Sequence, residues 1–181
     1  MPNARMKSFY VASLVLSITL PAACDNEGGK TGPSPSECRT FRTALAVKDR
    51  MSQAADVFNP GEPVTFELQI ANTTNTPATL TAGSSCTAVV FEVSDAAKLR
   101  RWGSADGIAC FAMLQPRTYS PLEVVTEAST WNQKDSGAAG MQVPSGDYVV
   151  TANVGQYVTA PQGGLIDCKA ALGKTTTFRI Q

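Results

Sequence analysis

An antiparallel, immunoglobulin-like β-sandwich of about seven to nine strands is the fold this sequence predicts. Three observations carry the prediction. Apolar residues recur at every second position in several short runs, most clearly Val64, Phe66, Leu68 and Ile70. That is the periodicity of a half-buried strand. The runs are separated by clusters of Gly, Pro, Asn and Asp, the residues of tight turns. No long stretch carries an apolar stripe at the roughly 3.6-residue spacing of an amphipathic helix.

The chain has 181 residues, room for one domain plus processing segments. Its first segment is set apart from the fold. Arg5 and Lys7 precede a mostly apolar run from Phe9 to Leu20. That run has the length of a signal-peptide core, whereas a spanning helix needs about 20 apolar residues. Residues 1–23 are therefore expected to be a signal peptide that exports the protein. The stretch Leu20-Pro21-Ala22-Ala23-Cys24 resembles a bacterial lipobox, in which cleavage falls just before a lipidated cysteine. Ordinary secretion, with cleavage near Ala22 or Ala23, is the alternative. Cys24 is the expected lipidation site, and residues 24–37, rich in Gly, Pro and Ser, are the expected flexible tether. The expected location is the bacterial cell envelope, with the domain membrane-anchored by its N-terminal lipid on the periplasmic or extracellular face.

Residues 38–181 are the expected sandwich. Phe41, Thr43, Leu45 and Val47 alternate in a first strand. Val64 to Ala71 form the clearest one, closed by the turn residues 72–77. Val89, Phe91 and Val93 share a face of the next. Asp95 to Lys98 reads as a hairpin turn leading back through Leu99 to Trp102. Ile108 to Leu114 is expected to be another strand, as is Pro121 to Trp131, which is rich in Val and Thr. Pro144 to Asp147 is a turn, after which Tyr148, Val150, Ala152 and Val154 face one way. Gly155 to Gly164 is expected to be a loop carrying Tyr157. Thr176, Phe178 and Ile180 make the closing strand.

With Cys24 set aside, Cys38, Cys86, Cys110 and Cys168 remain. An even number in an exported chain reads as two disulfides. No pair has the close spacing of a zinc or redox motif. The expected pairing is Cys86 with Cys110, which flank a hairpin, and Cys38 with Cys168, which stand just ahead of the first and last strands.

The chain contains no histidine. A Ser-His-Asp or Cys-His mechanism is therefore excluded, and the commonest metal ligand and near-neutral proton carrier is missing. Paired cysteines leave no thiolate nucleophile. There is no Ser-x-x-Lys motif, no EF-hand loop and no phosphate-cradling Gly-rich loop. The domain is read as non-catalytic, with no metal, no cofactor and no small-molecule substrate. Lys plus Arg and Asp plus Glu balance at 15 each, and loss of Arg5 and Lys7 leaves the mature chain at minus two. With no basic tract, nucleic acid is not an expected partner.

Two features suit protein binding. The stretch Lys98-Leu99-Arg100-Arg101-Trp102 gathers cations beside an indole, and Arg and Trp are prominent in binding hot spots. The alternative puts Trp102 in the core with the arginines on the outer face. Tyr157 is the second feature, because loops on a rigid scaffold carry recognition. Arg100, Arg101, Trp102 and Tyr157 are the candidate interaction residues.

The middle of the chain resembles the intracellular proteinase inhibitor, or BsuPI-type, domain family over about residues 62–154. The residues that carry the resemblance are Val64 to Asn72, a strand ending in Asn, then the strand Val89 to Val93, Asp95 and the stretch Leu99 to Ser104. The segment Pro121-Leu122-Glu123 before Trp131, and Pro144-Ser145-Gly146-Asp147-Tyr148 with the strand after it, complete the set. Leu122 stands where the family's pattern has Gly, and one Trp stands where it often has two. The four cysteines and the stretch from Gly155 lie outside that pattern. The resemblance implies an immunoglobulin-like sandwich with a protein partner, inhibition of a serine proteinase being the specific case. A structural or accessory envelope lipoprotein without inhibitory activity is the alternative.

Overall fold

The computed structural model describes residues 36–181, apart from 87, 138–139 and 160–162. The expected signal peptide and the lipidation site Cys24 lie outside the described residues, as does nearly all of the expected tether. Twelve strands are present among the described residues: β1 (Phe41–Lys48), β2 (Val57–Phe58), β3 (Val64–Asn72), β4 (Ala78–Ala82), β5 (Val89–Asp95), β6 (Arg100–Gly103), β7 (Gln115–Tyr119), β8 (Val124–Trp131), β9 (Gly146–Val154), β10 (Gln156–Thr159), β11 (Leu165–Asp167) and β12 (Lys174–Ile180). A 3-10 turn over Ser36–Thr40 precedes β1, and a single helical turn, α1 (Lys169–Leu172), precedes β12. The sheets run β1-β3-β8, β11-β10-β4-β7 and β2-β12-β9-β5-β6. Every pairing is antiparallel except β2 with β12. The fold is an all-β sandwich with two disulfides, and the strands beyond the expected number are short.

Alternation decides what is inside. Val64, Phe66, Leu68 and Ile70 on β3 are all fully buried, and Val89, Phe91 and Val93 on β5 and Tyr148, Val150, Ala152 and Val154 on β9 join them. Each fully buried large side chain contributes about 1.5–3 kcal/mol relative to exposure. Phe66 reaches across the interface. Its ring lies 6.1 Å from Phe91 on β5, 5.7 Å from Phe178 on β12 and 5.9 Å from Trp102 on β6. Trp131 on β8 completes the cluster, 5.9 Å from Tyr148 and 6.2 Å from Phe178, with its indole N–H donating to the Lys134 carbonyl. Threonines pair across neighbouring strands on the outer faces, as at Thr65–Thr130 and Thr79–Thr118.

The resembling motifs have physical roles. Asn72 is buried and braces the turn after β3. Its amide donates to the Thr76 and Ser120 carbonyls, and its carbonyl accepts from the Thr74 amide and hydroxyl. Tyr148 donates its hydroxyl to the Pro144 carbonyl at 2.6 Å, the arrangement of a tyrosine corner. Asp95 to Leu99 closes the β5–β6 hairpin. Lys98 is left-handed at φ 63° and the register shifts beside Ser94, as in a three-residue hairpin loop with a bulge.

Three expectations are corrected. Ile108–Leu114 is not a strand: it lies between β6 and β7 with no ladder partner among the described residues. The strand expected from Pro121 starts only at Val124, because Leu122 turns the chain at φ 60°. Tyr157 is not in a loop. It lies on β10, which pairs with β4 on one side and β11 on the other.

Cys38 is joined to Cys168, both buried, and Cys86 to Cys110. The first crosslink spans 130 residues of sequence. The Thr43 hydroxyl, donating to the Leu172 carbonyl at 2.8 Å, ties α1 to β1 beside it.

Leu122 is left-handed and 61% exposed, so its side chain adds strain without much packing. A left-handed L-residue costs about 1–2 kcal/mol, part of which glycine returns as lost chain entropy. Leu122→Gly is expected to stabilise the domain by about 0.5–1 kcal/mol, read as a higher urea midpoint with an unchanged slope.

Candidate functional site

The two cations of β6 are engaged by carboxylates of the same chain. Arg101 bonds Asp95 through Nη2 at 2.7 Å and Asp135 through Nη1 at 3.0 Å. Its carbonyl accepts from the Ser136 amide at 2.8 Å. Arg101 thereby clamps the β5–β6 turn to the segment after β8. Arg100 pairs with Glu92 at 3.3 Å and with Asp106. Asp106 in turn accepts from the Gly103 amide at 2.8 Å and the Ser136 hydroxyl at 2.5 Å. Trp102 packs against the core, its ring 5.9 Å from Phe66 and 6.3 Å from Trp131. Arg100, Arg101 and Trp102 therefore do not form one exposed patch. They brace the sandwich at β6.

These contacts set the ionisation of the carboxylates. The Leu99 amide, followed by the Arg101 guanidinium, holds Asp95 below the usual carboxylate range. Burial pushes Asp106 up, but Arg100, Ser136 and the Gly103 amide outweigh it and leave it lowered. Arg179, bonded at 2.6 Å, lowers Asp147.

Tyr157 has different surroundings. Its ring backs against Gly83, where an added Cβ would come within 3.1 Å of the ring edge. The Lys169 ammonium lies 5.5 Å above the ring. Tyr157 lines a shallow cleft of about 380 Å³ with Gly83, Ala112, Met113, Leu114 and Leu165. A second cleft of about 380 Å³ is lined by Cys86, Cys110, Val90 and Lys169 among others. The Lys169–Tyr157 contact joins the two linings, and the Cys86–Cys110 bridge lies within the second.

The segment that walls these clefts is the one for which the sequence pattern predicts a strand. Ile108, Phe111, Met113 and Leu114 are 54, 73, 48 and 59% exposed, and Leu165 on β11 adds another exposed apolar side chain. Such a run of exposed apolar groups is the kind of surface that a binding partner covers. The segment is nevertheless held at several points. The Asp106 and Ile108 amides bond back to the Gly103 and Ala105 carbonyls. Cys110 is crosslinked to Cys86. The Phe111 amide donates to the Ser85 hydroxyl at 2.8 Å, and its carbonyl accepts from the Ser85 amide at 2.9 Å. At its end, Gln115 enters β7 opposite Ala82. The sequence did carry a signal for this loop. Ile108 to Leu114 is an unbroken apolar run after Asp106-Gly107, without the alternation a half-buried strand requires.

The family model "BsuPI: Intracellular proteinase inhibitor" matches residues 51–157. That span includes the aromatic cluster residues Phe66, Phe91, Trp102 and Trp131, the disulfide-held loop and Tyr157. No curated protein matches the chain. Among solved structures, the C-terminal domain of wzt is similar with a TM-score of 0.44 at 8% identity, covering 78% of this chain and 74% of that one. A β-glucosidase from Listeria innocua gives 0.41 at 12% identity, covering 77% of this chain and 16% of that one. The CARDB domain of the PF1109 protein from Pyrococcus furiosus gives 0.39 at 10% identity, covering 78% and 90%. Likenesses at this level say nothing about function.

Asp95, Asp106 and Asp147 all have folded values below the ordinary 3.8. A carboxylate lowered by folding contributes stability that is complete above its unfolded value and is lost as pH falls through its folded value. Stability is therefore expected to be level near neutrality and to fall below about pH 4. Asp95→Asn should flatten part of that acid decline, which urea midpoints measured at about pH 7 and about pH 3 will show.

Proposed function

This chain belongs to the BsuPI family of intracellular proteinase inhibitors, and we propose that it is a non-catalytic binding domain that engages a proteinase from the bacterial envelope. The observation that carries this reading is the exposed apolar loop 108–114, pinned by the Cys86–Cys110 bridge and the Phe111–Ser85 hydrogen bonds. Association costs conformational freedom, and a surface ordered beforehand loses less of it. Inhibitor complexes bury about 1,600 Å² in total, so the clefts beside the loop would share the contact. Catalysis has no support in the residues. The sequence has no histidine and its four domain cysteines are paired, so neither a histidine-activated nucleophile nor a thiolate is available from them.

Location is the second half of the proposal. The lipobox-like stretch before Cys24 and the Gly/Pro/Ser-rich residues that follow support a lipid anchor and a tether. Disulfides favour an oxidising compartment, which agrees with export.

The full chain, produced with its own N-terminal segment and purified in mild detergent, is expected to inhibit at least one serine proteinase at micromolar concentration. Titration against subtilisin, chymotrypsin and trypsin with chromogenic peptides checks this, and no inhibition of any of them dismisses it. Cys24→Ser is expected to move the protein from the membrane fraction to the soluble fraction. A variant that stays with the membranes would remove the lipid anchor from the reading.

A further inference from the structure

Loop 108–114 has a chemistry that narrows what it can fit. No charged residue occurs from Gly107 to Gln115. The exposed side chains are Ile108, Phe111, Met113 and Leu114, with Phe111 the most exposed at 73%. A pocket that selects Lys or Arg offers a buried carboxylate, which would be left unpaired by this segment. A large apolar pocket has no such penalty. Aromatic side chains are also the usual anchors of tight interfaces, because they bury much area with little loss of rotamer freedom.

The backbone at Phe111 adds a second restriction. A peptide that is cut presents its carbonyl to oxyanion donors and its N–H to the cleft. At Phe111 both groups are already engaged by Ser85, at 2.9 and 2.8 Å. The neighbouring Cys110 is crosslinked to Cys86, so the backbone cannot swing away from Ser85 without moving the bridge. The side chain is offered outward while the peptide group is held inward.

We propose that Phe111 is a side-chain anchor for a proteinase with a large apolar primary pocket, and that the loop occupies that pocket without being cut after Phe111. This inference rests on the inhibitor reading above, but it can fail while that reading stands.

The test uses the full chain in mild detergent with chymotrypsin, subtilisin and trypsin as probes. The wild type is expected to inhibit chymotrypsin or subtilisin and to leave trypsin active. Phe111→Ala should weaken inhibition by about 30-fold or more, whereas Met51→Ala, which removes another exposed apolar side chain in a different part of the chain, should not change it. Mass spectrometry of the incubated complex should show the bond between Phe111 and Ala112 intact. The Cys86→Ser/Cys110→Ser double variant, which releases the loop, should be cut within residues 108–114. Inhibition of trypsin alone, undiminished inhibition by Phe111→Ala, or rapid cleavage after Phe111 in the wild type would overturn the inference and spare the inhibitor reading. Absence of inhibition of all three proteinases would overturn both, and flotation of the Cys24→Ser chain on phosphatidylglycerol vesicles that requires Phe111 would then assign the loop to a lipid surface.

Discussion

The fold depends on one constraint, the burial of Phe66 between two layers. Its ring meets Phe91, Trp102, Trp131 and Phe178, which come from β5, β6, β8 and β12. Both layers are therefore indexed to one side chain on the central strand of the three-stranded sheet. A slip of β3 by one residue would expose Phe66 with Val64, Leu68 and Ile70 and bury Thr65, Glu67 and Gln69 in their place. Close-packed interiors tolerate such exchanges poorly. The position of β6 follows from the same packing, because Trp102 must reach Phe66 while the hairpin before it closes at Lys98.

That geometry divides the surface. At β6 the charges are turned to internal use. Asp95, Asp106 and Asp135 surround Arg100 and Arg101, and the strand is braced against the segment after β8. Near β10 and β11 the contacts of Lys169 with Asp167 at 3.9 Å and with the Tyr157 ring are looser, and the apolar residues of the 108–114 loop remain in water. Their exposure has a cost that folding alone does not require, since the core is already complete without them. A contact outside the chain is the simplest use for them.

Much of the fold was legible in the sequence wherever alternation and turn residues coincide. β3, β5, β9 and β12 have both, and their inward residues are those read from the pattern. β4 and β7 carry a weaker signal: Ala78 to Ala82 alternates after a turn but is short and only mildly apolar, and Gln115 to Tyr119 buries only Tyr119. β10 reads as loop because glycines flank it, although Gln156-Tyr157-Val158-Thr159 is made of strand-compatible residues. The loop at 108–114 reads as strand for the opposite reason, since an apolar run suggests burial and periodicity alone cannot say what it is buried against. Arg100 and Arg101 could be singled out as unusual. Their engagement could not be read, because Asp135 is remote in sequence and meets Arg101 only after the sheets have closed. Leu122 is a further case. The departure from Gly was visible, but its meaning needed the left-handed turn.

The crosslink between Cys38 and Cys168 has a mechanical consequence. Cys38 precedes the first strand and its partner lies just before the last helix and strand. A pull arriving from the N-terminal side meets a covalent bond before it meets the hydrogen bonds between β1 and β3. Load therefore passes directly into the far end of the chain, and β1 is shielded from being peeled away one residue at a time. A domain leashed to a surface and tugged by whatever it grips would keep its shape under tension.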